Sequence, residues 1–85
     1  MVSIILPTYN SEDTIERAIS SVIFQNITDW ELIIIDDKST DKTCEIFNKY
    51  TKQLGDRLTI IKNAKNLGAG LSRRNGISIA KGEFI

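Results

Sequence analysis

Apolar and polar positions follow two rhythms along this chain: short, mainly aliphatic runs, and longer stretches in which apolar residues recur every third or fourth position. Val2 to Leu6 is a run of the first kind, closed by Pro7, which cannot donate to a ladder, and it predicts a short strand buried on both faces. From Asn10 to Gln25 the rhythm changes. Ile15, Ala18, Ile19, Val22 and Ile23 fall on one helix face, with Asn10 or Ser11 as N-cap and Glu12 and Asp13 suiting the positive end of the dipole. Trp30 to Ile35 predicts a second strand, ended by the turn-favouring segment from Asp36 to Asp41. Thr43, Ile46, Phe47, Tyr50 and Leu54 then predict a second helix, stopped at Gly55-Asp56. Leu58 to Ile61 predicts a third strand, and residues 63–68 a loop. A third helix follows, with Ala69, Ser72, Gly76, Ile77 and Ala80 as a narrow small-residue face and Gly82 as its C-cap. Glu83-Phe84-Ile85 reads as the opening of a fourth strand.

The order β-α-β-α-β-α implies an α/β fold: a Rossmann-like parallel sheet built from alternating β-α units, with helices on its faces. Residues 1–85 form one unit without internal repeat or linker. Because the chain stops as a strand opens, it is expected to be the front part of a longer domain, incomplete after three β-α units. Composition sharpens the picture by exclusion. Eleven basic residues balance eleven acidic ones, so no long-range field attracts nucleic acid or an anionic membrane. With one cysteine, Cys44, and no histidine, the sequence offers neither an internal disulfide nor a zinc site, and the reducing cytoplasm is the expected setting. The N-terminal run is too short and lacks the basic flank of a signal peptide.

In open α/β sheets ligands bind beyond the carboxyl ends of the strands. Thr8, Tyr9 and Asn10 lie there after the first strand; Asp36, Asp37, Ser39 and Asp41 after the second; Asn66, Gly68 and Gly70 after the third. Tyr9 suits either core packing or a stacking surface. Two adjacent carboxylates at the end of an apolar run need donors, and at least one of Asp36 and Asp37 is expected to meet a ligand, accepting from a nucleobase N–H or a ribose hydroxyl. Asp41 is expected to cap the second helix. Gly68-Ala69-Gly70 is not a dinucleotide fingerprint, because Arg73 stands at the third small position and the loop follows the third strand. Lys81 lacks the glycine spacing of a Walker A loop. The glycines would still admit a phosphate to the backbone, with Arg73 or Arg74 supplying positive charge.

Four blocks, taken in order, resemble family 2 glycosyltransferases of the GT-A fold. They are Val2-Ser3-Ile4-Ile5-Leu6-Pro7-Thr8-Tyr9-Asn10, Ser20-Ser21-Val22-Ile23-Phe24-Gln25, the segment from Trp30 to Asp41, and the segment from Asn66 to Ile77 running into Ala80 to Ile85. The resemblance implies a nucleotide-diphospho-sugar donor, UDP- or GDP-linked, at the strand-end rim. Pro7, Thr8, Tyr9 and Asp37 would surround the base, Asp36 or the Ser39 loop would lie near by, and Arg73 would match the family's arginine. It also implies a saccharide or lipid-linked acceptor, inverting transfer, and a divalent cation, Mn or Mg, at the leaving diphosphate of the full-length enzyme. Bacterial surface polysaccharide or glycolipid assembly would be the setting, in the cytoplasm and peripherally at the inner membrane face through regions beyond this chain. In the family the metal motif and the catalytic base come after the position of Ile85, so these 85 residues are not expected to catalyse transfer by themselves. Arg74 departs from the pattern, where asparagine is usual, and Asn75 is displaced by one position. A receiver-type signalling domain does not fit, because its acidic pair follows the first strand. A non-catalytic nucleotide-binding or scaffold module is the alternative reading.

Overall fold

The computed structural model describes residues 1–26 and 28–84. Its elements are β1 (Val2–Thr8), α1 (Ile15–Ile23), β2 (Trp30–Asp36), α2 (Thr43–Asn48), α3 (Thr51–Leu54), a single 3₁₀ turn (Gly55–Arg57), β3 (Leu58–Lys62), α4 (Ala69–Ile79) and β4 (Glu83–Phe84). The four strands form one sheet in the order β3-β2-β1-β4, and every pairing is parallel. This is the α/β arrangement that the alternation of runs and periodic stretches predicts. Ile85 lies outside the described residues.

Strand β2 is central, and all seven of its residues are buried. Its side chains divide by parity between two cores. Trp30, Leu32 and Ile34 join Ile15, Ile19 and Phe47 on the face covered by α1 and α2. Ile33 and Ile35 join Ile5 on the opposite face, against Ile77 and Ala80 of α4 and its end. The expectation that β1 is buried on both faces needs correction: only Ser3, Ile5 and Thr8 are fully covered. Val2, Ile4 and Leu6 are only partly buried, packed at the margin of the core under α1 and α2.

Glycine is required at one point of the helical face. A Cβ on Gly76 would stand 2.6 Å from Ile35 Cδ1 and 2.8 Å from Ile5 Cγ2, so a larger residue there would require α4 or the two isoleucine side chains to move. The narrow small-residue face read from the sequence is this contact.

Helix boundaries differ from the sequence reading in three places. Helix α1 starts at Ile15, because residues 11–14 form a turn in which Thr14 N–H and Ile15 N–H both donate to the Ser11 carbonyl. Neither Asn10 nor Ser11 caps it by side chain: Ser11 Oγ donates to the Tyr9 carbonyl, and Asn10 Oδ1 accepts from Thr40 N–H. The second helical stretch is broken at Lys49–Tyr50 into α2 and α3 before Gly55 ends it with φ +54°. Finally, α4 ends at Ile79, with Ala80 extended as its C-cap. Gly82 has another reason to be glycine, since a Cβ there would collide with the Met1 backbone carbonyl.

Candidate functional site

The carboxyl ends of β1, β2 and β3 open on the same rim, because all three run parallel. The ladder continues past the strands: Asp37 N–H donates to the Thr8 carbonyl and Asn63 N–H to the Asp36 carbonyl, each at 2.8 Å. These bonds bring the two aspartates level with the ends of both neighbours.

Asp36, only 2% exposed, faces inward. Its two oxygens accept from Ser39 N–H at 3.0 Å and Ser39 Oγ–H at 2.6 Å, with Cys44 Sγ a further 3.4 Å neighbour. Ser39 Oγ in turn accepts from Asn10 N–H at 2.9 Å. Asp36 and Ser39 therefore pin the loop after β2 to the loop after β1. Asp41 extends the same seam, accepting from Thr43 N–H at the start of α2 and from Glu12 N–H of the neighbouring loop. It does act on the first turn of α2, although Lys42 is the N-cap residue and has no side-chain cap bond. Among the described residues, Asn10 and Lys38 carry the two positive φ angles found outside glycine, +45° and +61°. Both lie in these rim loops, where hydrogen bonds hold conformations that a free chain would avoid.

Asp37 turns the other way and gathers the third loop. Its Oδ1 accepts from Leu67 N–H at 2.7 Å and Asn63 Nδ2 at 3.0 Å, and its Oδ2 from Gly68 N–H at 2.9 Å. Its main-chain carbonyl accepts from Asn66 Nδ2 at 2.7 Å. Together with the glycine φ of +88° at Gly68, this wraps the chain around the carboxylate just before α4 begins. The Leu67 N–H, then the Asn63 amide, outweigh burial and hold Asp37 below its ordinary value of 3.8, with Gly68 and Asn66 contributing. Of the two glycines whose backbone was offered to a phosphate, Gly68 has its N–H taken by Asp37. Cys44 behaves oppositely: burial, then the hydrogen bond and negative charge of Asp36, push its thiol above 9.0.

Pro7, Thr8, Tyr9, Asp37, Ala69 and Ser72 line one open dent of about 70 Å³ at this rim. Tyr9 is 51% exposed, so of the two roles open to it the structure selects the surface one. Of the seven residues singled out from the sequence, four meet here. Asp36 and Ser39 sit behind the dent as its support, and Arg73 is exposed on α4 outside its lining. Asn63 was missed. Its amide joins Asp37 Oδ1 to Ser72 Oγ, 3.0 Å each way, tying the ends of β2 and β3 to α4. The signal lay in a polar residue directly after an apolar strand, on the rim where the other loops converge.

The dent is much smaller than the roughly 300–1,000 Å³ of a complete small-molecule pocket. It offers one wall of a site: an exposed aromatic ring, a proline and an ionised carboxylate. Among the described residues no group of three or more acidic, cysteine or histidine side chains is placed to hold a metal ion. No described helix is long and apolar enough to cross a membrane.

Comparison with known proteins bears on the family and the fold. Residues 3–85 match the model of glycosyl transferase family 2. Poly(ribitol-phosphate) beta-glucosyltransferase of Bacillus spizizenii is 41% identical over 86 residues, covering 99% of this chain and 14% of that protein. The crystal structure of S. aureus TarS 1-349 in complex with UDP superposes with a TM-score of 0.88 at 34% identity, over 99% of this chain and 26% of that one. A Pyrobaculum calidifontis mannosyltransferase, PcManGT, shares the fold at a TM-score of 0.85 and 24% identity, over 94% of this chain and 24% of its own. The chain thus spans between a seventh and a third of the curated relatives it matches. On a match that runs through nearly every residue and both flanks of the rim, the chain belongs to glycosyl transferase family 2.

Proposed function

We propose that this chain is the donor-nucleotide wall of a glycosyltransferase that moves a sugar from a nucleotide-diphospho-sugar to an acceptor hydroxyl. The observation that carries the reading is the meeting of Pro7, Thr8, Tyr9 and Asp37 in one dent at the carboxyl ends of parallel strands. A base would lie across the dent, stacked on the exposed Tyr9 ring. An imide N–H of uracil or guanine would donate to the lone-pair capacity that Asp37 keeps beyond its bonds to Leu67, Asn63 and Gly68. Asp37 is suited to this because its N–H partners keep it ionised and fixed in place. The TarS structures with UDP and with UDP-GlcNAc support a uridine nucleotide as the first ligand to try. Arg73, exposed beside the rim on α4, is the cation that would reach a diphosphate.

Family resemblance also implies a divalent cation at the leaving diphosphate. The paired aspartates at the rim do not suit it: Asp36 is enclosed by Ser39, and the Asp37 oxygens face N–H donors. In our reading residues 1–85 are the front of a longer catalytic domain, in which later residues supply the cation ligands and the base that deprotonates the acceptor. Bacterial surface-polymer synthesis is the setting that the names of its relatives support, and a place at the inner membrane face is part of our proposal alone.

Titration calorimetry of this chain with UDP, GDP and pyrophosphate tests the nucleotide reading. Saturable binding of a nucleoside diphosphate that pyrophosphate does not reproduce supports it. Equal response to pyrophosphate, or no saturable response to either nucleotide at millimolar concentration, overturns it.

A further inference from the structure

Asn63 stands outside the lining of the dent, yet its side-chain amide donates to two residues that line it. Its backbone places it there, because Asn63 N–H donates to the Asp36 carbonyl at 2.8 Å and extends the β2–β3 ladder by one step. From that fixed point Nδ2 donates at 3.0 Å to Asp37 Oδ1 and at 3.0 Å to Ser72 Oγ. Only one orientation of the amide serves, since the reverse would set its carbonyl oxygen against the carboxylate. Ser72 is fully buried on α4, so the second bond is anchored in the packed helix.

The consequence falls on the two oxygens of Asp37, which are unequally used. Oδ1 accepts from Leu67 N–H and from Asn63, which fills the two lone-pair positions of one carboxylate oxygen, whereas Oδ2 accepts from Gly68 N–H alone. The open position is therefore on Oδ2. Among the described residues, Asn63 is the one side-chain donor to this carboxylate, the other two donors being backbone N–H groups. The torsion that turns a carboxylate is soft, so without the amide either oxygen could face the dent.

We propose that Asn63 is a positioning residue for the donor nucleotide: by filling Oδ1 it leaves Oδ2 to accept the imide N–H of the base, and through Ser72 it sets that oxygen's place against α4. This rests on the dent being a nucleotide site. Asn63 touches no ligand in this role, and acts through Asp37 as groups behind a binding constellation do when they lock its rotamers.

Titration calorimetry with UDP on the 85-residue chain tests it at about pH 5 and about pH 7.5, comparing wild type with Asn63→Leu and Asn63→Asp. Leucine matches the native side chain in shape and removes both donors. Loss of a hydrogen bond to a charged acceptor corresponds to about tenfold or more, so UDP affinity is expected to fall about tenfold in Asn63→Leu at both pH values. Asn63→Asp separates positioning from mere support. At the higher pH it sets a second carboxylate against Asp37, and affinity is expected to fall at least as far as in Asn63→Leu. At the lower pH two carboxylates so close share a proton, which restores an O–H donor to Oδ1; affinity relative to wild type at the same pH should recover by about threefold or more. This variant keeps the size and polarity of the native side chain, and it decides the matter alone if the leucine chain does not fold. A deficit in Asn63→Asp that is the same at both pH values would mark Asn63 as general support and overturn the inference, as would wild-type affinity in both variants. A wild-type chain that takes up no UDP would instead overturn the nucleotide reading, and this inference with it.

Discussion

The contact between α4 and the sheet yields a prediction in which two substitutions on one helix control for each other. A Cβ at Gly76 would meet Ile35 and Ile5 carbons at 2.6 and 2.8 Å, whereas one at Gly70 would meet nothing within 4 Å. Carbon atoms prefer about 3.5–4.0 Å, so Gly76→Ala requires α4 and the sheet to part by about 1 Å or the two isoleucines to leave their rotamers. Overpacking of this kind costs typically about 1–3 kcal/mol. Both substitutions gain up to about 1 kcal/mol of helix propensity, so the difference between them isolates the packing cost. Gly70→Ala is expected to equal or exceed wild type, and Gly76→Ala to lie about 1–3 kcal/mol below Gly70→Ala, a gap of several degrees in Tm for a chain this size. Urea unfolding followed by circular dichroism, with equal m-values, measures it. The displacement also reaches the rim, since Ala69 and Ser72 of the same helix line the dent. Equal stability of the two variants would show that α4 is not pressed on Ile5 and Ile35, and the account of the small-residue face would fail.

Acid should act on Glu31 and Asp37 in the same direction. For Glu31, burial tends to raise its affinity for a proton, but the Ser3 hydroxyl, the Lys81 N–H and the Lys81 charge outweigh it, leaving the group below its ordinary 4.5; Asp37 likewise lies below 3.8. A group whose folded value is depressed contributes stability above its unfolded value, and that contribution disappears as pH falls through the folded one. Urea midpoints are therefore expected to hold steady above about pH 6 and decline below 4.5, with a shallower acid limb in Glu31→Gln; an unchanged limb would remove Glu31 from the cause. Cys44, with its raised thiol, should react with iodoacetamide at neutral pH far more slowly than after unfolding, and equal rates would contradict its burial beside Asp36. Asp37→Asn should speed amide exchange at Leu67 and Gly68 and weaken any UDP binding, because an amide nitrogen then faces N–H donors; unaltered exchange there would show the loop holds itself.

The strands were legible because each is a mainly apolar run with a chemical stop: Pro7, the Asp36-Asp37 pair, or Asn63 after Lys62. Helical spacing found all three helical stretches, but their ends depended on contacts that spacing does not encode. Asn10 looks like an N-cap in sequence, yet its side chain goes to Thr40, 30 residues away, and the first helix starts later. The rim was legible in outline, since polar residues collect after each strand, and Pro7, Thr8, Tyr9 and Asp37 do meet. What divides Asp36 from Asp37 was not. Adjacent strand-end residues point to opposite sides, and the side that faces the dent follows from where β3 and α4 dock, through Asn63, Leu67 and Gly68. The Ser3–Glu31 pair escaped for a similar reason, although a lone carboxylate inside an apolar strand was the available clue.

The central claim is that the dent at the ends of β1 and β2 is a nucleotide wall. Amide chemical-shift mapping of the 85-residue chain against UDP tests it most directly, because position as well as affinity is read. Saturating shifts confined to Thr8, Tyr9, Asp37, Ala69 and Ser72 and their sequence neighbours are the expected result, reduced by Tyr9→Ala. Shifts centred elsewhere, such as around exposed Phe24 at the end of α1, or none at millimolar UDP, would contradict it.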